Sequence, residues 1–374
     1  MNNVDILYKL IETGRKGKNT GYSTGIPKLD EYTGGVRRGI YTLIFGTSGS
    51  GKSSLALYSY IYRPLKDHPN DNIKLIYYSL EMSAEILLSK LLCLYIYDTF
   101  NKVIPYTKLM SWREIISDED YDYVLKGRNW LESISDKLII IDKSLNNKNF
   151  YHSIMTYLEE WGTFEKVDNG NRTIYIKNDP QQLVQIVIDH LALVTPIDGH
   201  SKKEEMDLIS SYCVTLREKC QISCVILQQE NRNSSDMDRR KANLTECSPE
   251  DLKDTGSTYN DCEICIGVYY PLKFKIKSHG NYPIIVEDNG QQGGNSFIGL
   301  RDRYRALCLI KNRHGVNDKM IPCNFFGELG IFRELPNGKT ISDYTPFLSL
   351  IQPQTTEIKD EVQKESKKEI MYSF

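Results

Sequence analysis

The sequence has no continuous run of about 18 apolar residues, although apolar residues make up 40% of its 374 positions. We therefore expect no membrane-spanning helix and no membrane partner. The first residues lack a basic segment followed by an apolar stretch, so no secretory signal is predicted and a cytoplasmic location is expected. A strong excess of basic residues is also missing, since the net charge is −2. Any contact with nucleic acid should therefore be local, on a loop or in a channel.

Paired metal-binding cysteines are also scarce. The nine cysteines are scattered singly, most of them in apolar segments, which is typical of free buried thiols in a reducing compartment. Cys262 and Cys265 have the spacing of half a zinc site, but no second pair with suitable spacing follows. We interpret them as two cysteines of a core strand.

A glycine-rich segment at 46–53 lies between an apolar strand predicted at 40–45 and a helix predicted at 53–62. It reads Gly-Thr-Ser-Gly-Ser-Gly-Lys-Ser, the pattern of a phosphate-binding P-loop. In such a loop the backbone N–H groups and the positive end of the following helix surround phosphates. Lys52 is expected to pair with the β- and γ-phosphates, and the Ser53 hydroxyl to ligate Mg²⁺. The alternative, an ordinary Gly/Ser loop, explains neither the strand before it nor the helix after it. The predicted nucleotide-binding residues are Gly46, Thr47, Ser48, Gly49, Ser50, Gly51, Lys52, Ser53 and Ser54.

Hydrolysis of a nucleoside triphosphate also needs carboxylates around the phosphates. Asp189 ends the apolar run 186–188 and fits a role in the Mg²⁺ shell; the alternative is a strand-end aspartate that caps a turn. Glu81 directly follows a strand predicted at 74–79, where a carboxylate can polarise a water molecule. A glutamate that opens a helix can instead be a simple partner of the helix dipole.

Strands alternate with helices from Tyr22 onward, which predicts one α/β domain with a mostly parallel sheet. Two stretches interrupt this alternation and are interpreted as inserted β-hairpin regions, at about 163–180 and 272–300. Their predicted turns are Asp168-Asn169-Gly170-Asn171 and Asn289-Gly290. Residues 230–258 are polar and are predicted to form a loop. The predicted organisation is a linker helix and connector over 1–20, one ATPase domain over 21–350 and a disordered tail over 351–374.

Residues 4–11 form the linker helix in this prediction. Val4, Leu7, Tyr8 and Ile11 have helical apolar spacing. A lone two-turn helix is marginal in water. It is therefore expected to dock on its own domain or on a neighbouring subunit.

Six motifs in order along 23–315 resemble the RecA-like ATPase domain of DnaB-type replicative helicases. They are the segment 23–35 leading into the P-loop, Ser-Leu-Glu-Met at 79–82, Ile-Asp at 188–189, Leu-Gln-Gln-Glu-Asn-Arg at 227–232, Asp-Leu-Lys-Asp-Thr-Gly-Ser at 251–257 and Lys-Asn-Arg-His-Gly at 311–315. The resemblance implies an α/β fold of the RecA-like P-loop class that uses ATP and Mg²⁺.

The resemblance also implies roles for individual residues. Glu81 corresponds to the catalytic base, and Gln229 to the residue that senses the γ-phosphate. Lys311 and Arg313 correspond to residues that reach the ATP site of the neighbouring subunit. The segment that grips the backbone of single-stranded DNA contributes Lys253, Asp254 and Gly256.

The family implies a hexameric ring that moves 5′ to 3′ on single-stranded DNA, with a primase or a helicase loader as candidate partners. Family members normally carry a helical N-terminal domain, whereas here only residues 1–20 precede the predicted ATPase domain. A lysine- and asparagine-rich chain with insertions suggests a phage or other mobile element, acting in the cytoplasm of a bacterial or infected cell. Two alternatives share the P-loop and sheet: a RecA/RadA-like recombinase filament, and a KaiC-like regulatory ring ATPase that does not act on DNA.

Overall fold

One mixed sheet forms the centre of the protein in a computed structural model, which describes residues 3–167, 172–230, 245–286 and 299–350. Nine strands of the described part belong to this sheet, in the order β13-β12-β11-β8-β1-β7-β6-β2-β3. The strands, with the four of two smaller sheets, are β1 (Tyr41–Gly46), β2 (Ile73–Ser79), β3 (Leu138–Ile141), β4 (Gly162–Val167), β5 (Arg172–Lys177), β6 (Leu183–Asp189), β7 (Ser223–Gln229), β8 (Ile264–Tyr269), β9 (Ser278–His279), β10 (Tyr282–Pro283), β11 (Tyr304–Asn312), β12 (Lys319–Phe326) and β13 (Ile331–Glu334).

The six strands from β3 to β8 in the sheet order run parallel, and β11, β12 and β13 extend the sheet antiparallel. The inner parallel strands β1 and β6 are buried along their whole length, which explains their continuous apolar sequences. The predicted α/β class with a mostly parallel central sheet is confirmed.

Helices cover both faces of the sheet. They are α1 (Asn3–Arg15), α2 (Pro27–Thr33), α3 (Lys52–Leu55), α4 (Arg63–Asp67), α5 (Ala84–Phe100), α6 (Tyr106–Leu109), α7 (Asp118–Ser133), α8 (Asn147–Trp161), α9 (Lys202–Cys220) and α10 (Gly256–Asp261), and a π-helical segment (Ala56–Tyr62) joins α3 to α4. One core layer lies between the sheet and the segment from α3 to α7, and the other between the sheet and α8, α9 and α10. No helix among these described residues has the length and apolar character of a membrane span.

A β-bulge interrupts the pairing of β11 with β8. Leu309 lies opposite Ile266, but the next pair is Lys311 with Cys265, so Ile310 is the extra residue. Leu309 packs in the core layer on the α3 side, whereas Cys265 belongs to the layer on the α9 side. The bulge therefore turns Lys311 toward the opposite face of the sheet from Leu309.

The first predicted insertion is an antiparallel hairpin of β4 and β5, although its predicted turn at 168–171 lies outside the described residues. In the second, the described part contains the two-residue strands β9 and β10, and the predicted Asn289-Gly290 turn lies outside it, as does the tail over 351–374. All nine cysteines lie in described segments and are free thiols. Cys262 and Cys265 are both buried, but only Cys265 belongs to β8; Cys262 lies two residues before the strand begins, so the interpretation of both as strand residues is wrong for Cys262.

The prediction of a loop throughout 230–258 is wrong at its end. Pro249–Thr255 forms a 3₁₀ helix that leads into α10. Ser248 begins this helical segment by donating its backbone N–H to the Asp251 carboxylate at 2.8 Å. Polar composition hid this structure because a short helix on the protein surface needs few apolar residues.

Helix α1 is longer than the predicted 4–11, but the predicted apolar face is present. Val4, Leu7, Tyr8 and Ile11 are 59%, 54%, 64% and 48% exposed. The rest of the described chain therefore leaves most of this face uncovered.

Candidate nucleotide site

The P-loop connects the carboxyl end of β1 with the first turn of α3. Gly49 and Gly51 have φ angles of 77° and 102°, in the left-handed region that favours glycine. These two residues allow the chain to turn sharply between Gly46, which ends the strand, and Lys52, which opens the helix. The local geometry is therefore that of a phosphate-binding loop at a helix N-terminus.

The Lys52 ammonium folds back over this loop. Its Nζ donates to the carbonyl oxygens of Gly46 and Thr47 at 2.9 and 3.0 Å. Burial lowers the pKa of Lys52, with nearby carboxylates acting in the opposite direction. Phosphate oxygens would supply this partly desolvated cation with stronger acceptors than two carbonyls.

Asp189 is held at the end of β6 by two hydroxyls. Ser53 Oγ donates to Oδ1 at 3.0 Å, and Tyr77 Oη donates to Oδ2 at 2.8 Å. The carboxyl is only 1% exposed, and burial raises its pKa while the two hydrogen bonds act in the opposite direction. Ser53 and Asp189 thus present hard oxygen donors side by side, which suits Mg²⁺.

Three further predicted or neighbouring residues line the same cleft, whose volume is about 280 Å³. Glu81 is exposed and lies just beyond β2, where the Leu80 N–H bonds the Asp189 carbonyl at 2.8 Å. Gln229 ends β7 directly beside Gly46 in the sheet register. His190 also lines the cleft, and burial lowers its pKa, which favours the neutral ring at pH 7.

Several buried polar atoms around the P-loop have no hydrogen-bond partner. They are Thr47 Oγ1, Ser50 Oγ and His190 Nδ1. Buried polar atoms are normally satisfied, and an unsatisfied one calls for an explanation. A bound nucleotide with its metal ion and waters would supply partners here, so the site fits ATP and Mg²⁺.

Two cations that the sequence analysis did not select contact the outer side of the P-loop. Lys273 Nζ donates to the Ser48 carbonyl at 2.9 Å, and Arg305 donates to the carbonyls of Gly49 and Ser50. Tyr77 was missed as well. One signal for Arg305 was available in the sequence: it is a charged residue inside an otherwise apolar strand. Arginine is rarely buried without a specific partner.

Lys311 and Arg313 do not lie in this cleft. The Arg313 N–H bonds the Glu263 carbonyl, and the Glu263 N–H bonds the Tyr41 carbonyl, so Arg313 lies level with the first residue of β1. Gly46 is five positions after Tyr41 in β1, which corresponds to roughly 16 Å along a strand. The two predicted finger residues therefore lie at the opposite edge of the sheet from the P-loop of the same chain.

The side chains of Lys311 and Arg313 bind the carboxyl end of α10. Lys311 Nζ donates to the carbonyls of Tyr259 and Asn260 at 2.5 and 3.0 Å, and Arg313 Nη2 donates to Asn260 at 2.8 Å. Cations at this end of a helix interact favourably with its dipole. Burial lowers the pKa of Lys311.

The predicted DNA-binding residues lie at the other end of this helix. The backbones of Lys253 and Asp254 belong to the 3₁₀ segment Pro249–Thr255, and Gly256 opens α10. Thr258, in the first turn, bonds the Gln228 amide at 2.9 Å. Because Gln229 is the next residue, α10 is connected directly to the strand that ends at the nucleotide cleft.

The RecA-like sheet and the P-loop together define a P-loop nucleotide-binding protein. A family model described as the DnaB-like helicase C terminal domain matches residues 21–334. That match covers well over half of the chain, so the chain belongs to the DnaB-like helicase C-terminal domain family.

Similar proteins agree with this assignment. The replicative DNA helicase DnaB of Helicobacter pylori (strain ATCC 700392 / 26695) is 26% identical over 279 residues, which are 73% of this chain and 49% of that protein. The replicative DNA helicase DnaB of Leifsonia xyli subsp. xyli is 24% identical over 253 residues, covering 67% and 47% of the two chains. The chain thus spans about half the length of these curated relatives.

Two solved structures have a similar fold. One is an ATPase domain that has a TM-score of 0.63 at 18% identity and covers 89% of this chain and 97% of its own. The other, a DnaB-like replicative helicase studied with its interactions with primase, has a TM-score of 0.63 at 18% identity and covers 90% and 68%. These likenesses confirm the predicted RecA-like fold.

The contact between Tyr77 and Asp189 predicts a stability difference between two neighbouring tyrosines. We expect Tyr77→Phe to lower the free energy of unfolding by about 1.5–3 kcal/mol, because it removes a hydrogen bond to a buried carboxylate. Tyr78→Phe, the matched control, removes a bond to the Ser153 hydroxyl instead, and should cost about 0.5–1.5 kcal/mol. Urea unfolding of both variants measures the difference, and equal losses would contradict the special role of Tyr77.

Proposed function

We propose that this chain is the ATP-hydrolysing motor domain of a DnaB-like replicative DNA helicase. It assembles into a ring, a hexamer by family resemblance, moves along single-stranded DNA in the cytoplasm and unwinds duplex DNA in the 5′ to 3′ direction. A primase or a helicase loader is a candidate partner.

The observation that carries this proposal is the separation of two half-sites on one chain. The P-loop, Asp189 and Glu81 lie at one edge of the sheet, and Lys311 and Arg313 lie roughly 16 Å away along β1 at the other edge. In a head-to-tail ring, the second edge of one copy faces the first edge of the next. A complete ATP site then requires two copies, as in enzymes that receive an arginine finger in trans.

The geometry of the P-loop half supports the chemistry that we propose for it. The loop N–H groups and Lys52 bind the phosphates, and Ser53 and Asp189 would hold Mg²⁺, which when bound would neutralise negative charge on the phosphate oxygens. Glu81 is exposed to the cleft and accepts a proton from the attacking water. Gln229, beside Gly46, contacts the γ-phosphate. Arg313 from the neighbouring copy stabilises the charge of the transition state.

The position of the short helix α10 favours a coupling of DNA binding to ATP hydrolysis. The amino end of α10 carries the proposed DNA-binding residues Lys253, Asp254 and Gly256, and the carboxyl end is bound by Lys311 and Arg313. A displacement of this helix by DNA would disturb the position of both cations. Backbone contacts of this kind are independent of base sequence, which suits a motor that moves along any strand.

The exposed apolar face of helix α1 is an observation in favour of the proposed ring assembly. Its apolar face is largely exposed, and a helix of this length gains stability mainly by packing that face against another surface. A groove of about 840 Å³ lies between α8, the β4–β5 hairpin and α9, and is lined by apolar side chains that include Ile154, Leu158 and Leu216. We assign this groove of a neighbouring copy as the docking surface for α1.

DNA dependence and the proposed catalytic base can be tested together. We expect single-stranded DNA to stimulate ATP hydrolysis by the wild-type protein, and Glu81→Gln to reduce kcat by about 10²–10⁴-fold while ATP binding persists. Glu85→Gln, an exposed glutamate one turn along, is the control and should retain activity. Steady-state ATPase assays with and without DNA measure both effects.

Two results would contradict this prediction. Absence of DNA stimulation would favour a regulatory ring ATPase, and wild-type turnover by Glu81→Gln would exclude Glu81 as the base. Electron microscopy with DNA and ATP separates a closed ring from the open filament of a recombinase.

The second prediction tests the shared site by mixing two inactive variants. Lys52→Ala lacks the phosphate-binding cation, and Arg313→Ala should lose about 10³–10⁵-fold in kcat. In a one-to-one mixture, each site has an intact P-loop and an intact finger with probability one half times one half, so about one quarter of wild-type ATPase activity should return. Mixing Lys52→Ala with the Lys52→Ala, Arg313→Ala double variant is the control and should stay inactive. No recovery in the first mixture would mean that Arg313 acts within its own chain, and full activity of Arg313→Ala by itself would mean that Arg313 has no role in hydrolysis.

The third prediction concerns the exposed face of α1. Leu7→Asp combined with Ile11→Asp places charges in the proposed contact between copies, so we expect a shift from ring to smaller species in analytical ultracentrifugation. Lys9→Asp changes the same helix outside the apolar face and should leave the ring intact. An unchanged sedimentation profile for the double variant would rule out α1 as an assembly contact.

A further inference from the structure

Arg305 packs against the outer side of the P-loop from strand β11. Its Nε donates to the Ser50 carbonyl at 2.7 Å, and its Nη2 to the Gly49 carbonyl at 3.3 Å. Its Nη1 donates to the carbonyls of Asp302 and Tyr304, each at 2.8 Å. The guanidinium thus binds four main-chain oxygens in one place, two of them in the P-loop.

Two aromatic rings fix the orientation of this guanidinium. Its central carbon lies 3.5 Å from the centroid of the Tyr270 ring and 4.7 Å from that of Phe325. Arg305 is only 3% exposed. A side chain with this many contacts is rigid, so it can hold the backbone that it binds.

The bonds to P-loop carbonyls determine where the P-loop N–H groups point. A trans peptide is planar, with its C=O and the following N–H on opposite sides. When Arg305 holds the Ser50 carbonyl outward, the Gly51 N–H is directed inward. Lys273 acts in the same way on the Ser48 carbonyl, at 2.9 Å, and so directs the Gly49 N–H. The two cations therefore orient donors that a phosphate would accept from.

Charge strengthens this effect. Burial lowers the pKa of Arg305 to about 10, so the side chain remains a cation at neutral pH. A cation that binds a carbonyl polarises the peptide group and makes its N–H a better donor. The positive charge also lies on the chain's own side of the site, independent of Lys311 and Arg313.

We propose that Arg305 is a positioning residue that holds the P-loop amide N–H groups in the orientation required by the β-phosphate of a nucleotide. The inference rests on the proposed function for nucleotide binding itself, but it does not depend on ring assembly or on DNA. Arg305 does not touch the nucleotide; it acts through the peptide groups of Gly49 to Gly51.

The test compares nucleotides that differ by one phosphate. Fluorescent N-methylanthraniloyl derivatives of ADP and AMP are titrated into wild-type protein, Arg305→Met and Arg305→Lys. We expect Arg305→Met to weaken ADP binding about ten- to a hundred-fold, the effect of losing charge-assisted hydrogen bonds. AMP, which has no β-phosphate, should lose much less, so the ratio of the two affinities falls. Arg305→Lys keeps the charge without the planar fork and should give an intermediate ratio.

A matched control removes another cation, here half-buried, that binds main-chain carbonyls. Lys177 donates to the carbonyls of Gln182 and Gln221, near the amino ends of β6 and β7 and thus at the opposite edge of the sheet from the P-loop. Lys177→Met should leave the ADP-to-AMP ratio unchanged even if it lowers thermal stability. This ratio separates positioning of the P-loop from a general loss of stability.

Each outcome decides the inference. An unchanged ratio in folded Arg305→Met, or in folded Arg305→Lys if the methionine variant does not fold, overturns it. A lowered ratio in Lys177→Met also overturns it, because the effect would then follow from the loss of any cation that binds main-chain carbonyls. If wild-type protein binds neither nucleotide, the proposed function fails, and that result is distinct from failure of the role assigned to Arg305.

Discussion

The direction of the central strands is the constraint on which the whole site depends. Parallel strands end at the same edge of a sheet, and ligands of α/β proteins bind beyond those carboxyl ends. Here β1 ends at Gly46, β6 at Asp189 and β7 at Gln229, while Glu81 lies two residues beyond the end of β2. Residues that are far apart in sequence therefore meet around one cleft, and each arrives on a rigid buried strand rather than on a long loop.

The antiparallel strand β11 differs from the parallel strands because functional residues lie near both of its ends, and these ends are at opposite edges of the sheet. Arg305, near its start, supports the P-loop of its own chain. Lys311 and Arg313, at its end, bind the helix that leads to the proposed DNA-binding segment. A single strand therefore connects a phosphate-binding loop with the residues proposed to serve the next copy, and this strand is paired on both sides and buried over most of its length.

Local patterns in the sequence were sufficient for the parts of the site whose residues are close together or follow strands. The P-loop over 46–53 and the strand-end Asp189 are of this kind, since strand, turn and helix signals are adjacent there. Tyr77 and Arg305 could not be placed in the same way. Their partners lie 112 and 255 positions away, and only the strand order, with β11 antiparallel beside β8, brings them together.

For secondary structure too, local sequence patterns predicted only part of what the structure shows. The alternation of apolar strands and helices predicted the α/β class, and an Asn-Gly signal predicted the first hairpin. The helical turn before α10 was missed because it depends on one aspartate that accepts a nearby backbone N–H, and not on periodic apolar residues. Strand β13 was missed because its four residues are too short for a clear alternation pattern.

The bulge at Ile310 gives β11 its ability to serve both faces of the sheet. Side chains alternate along a regular strand, so Arg305, Leu307, Leu309 and Lys311 would all project from one face. The extra residue shifts this alternation by one position, and Lys311 projects toward α10 while Arg305 projects toward the P-loop. Regular pairing of β11 at its present length, without the bulge, would put Lys311 on the same face as Leu309, away from α10. The phase of β11 is thus under a stricter requirement than its composition: Arg305 and Lys311 must project from opposite faces, whichever residues fill the strand between them.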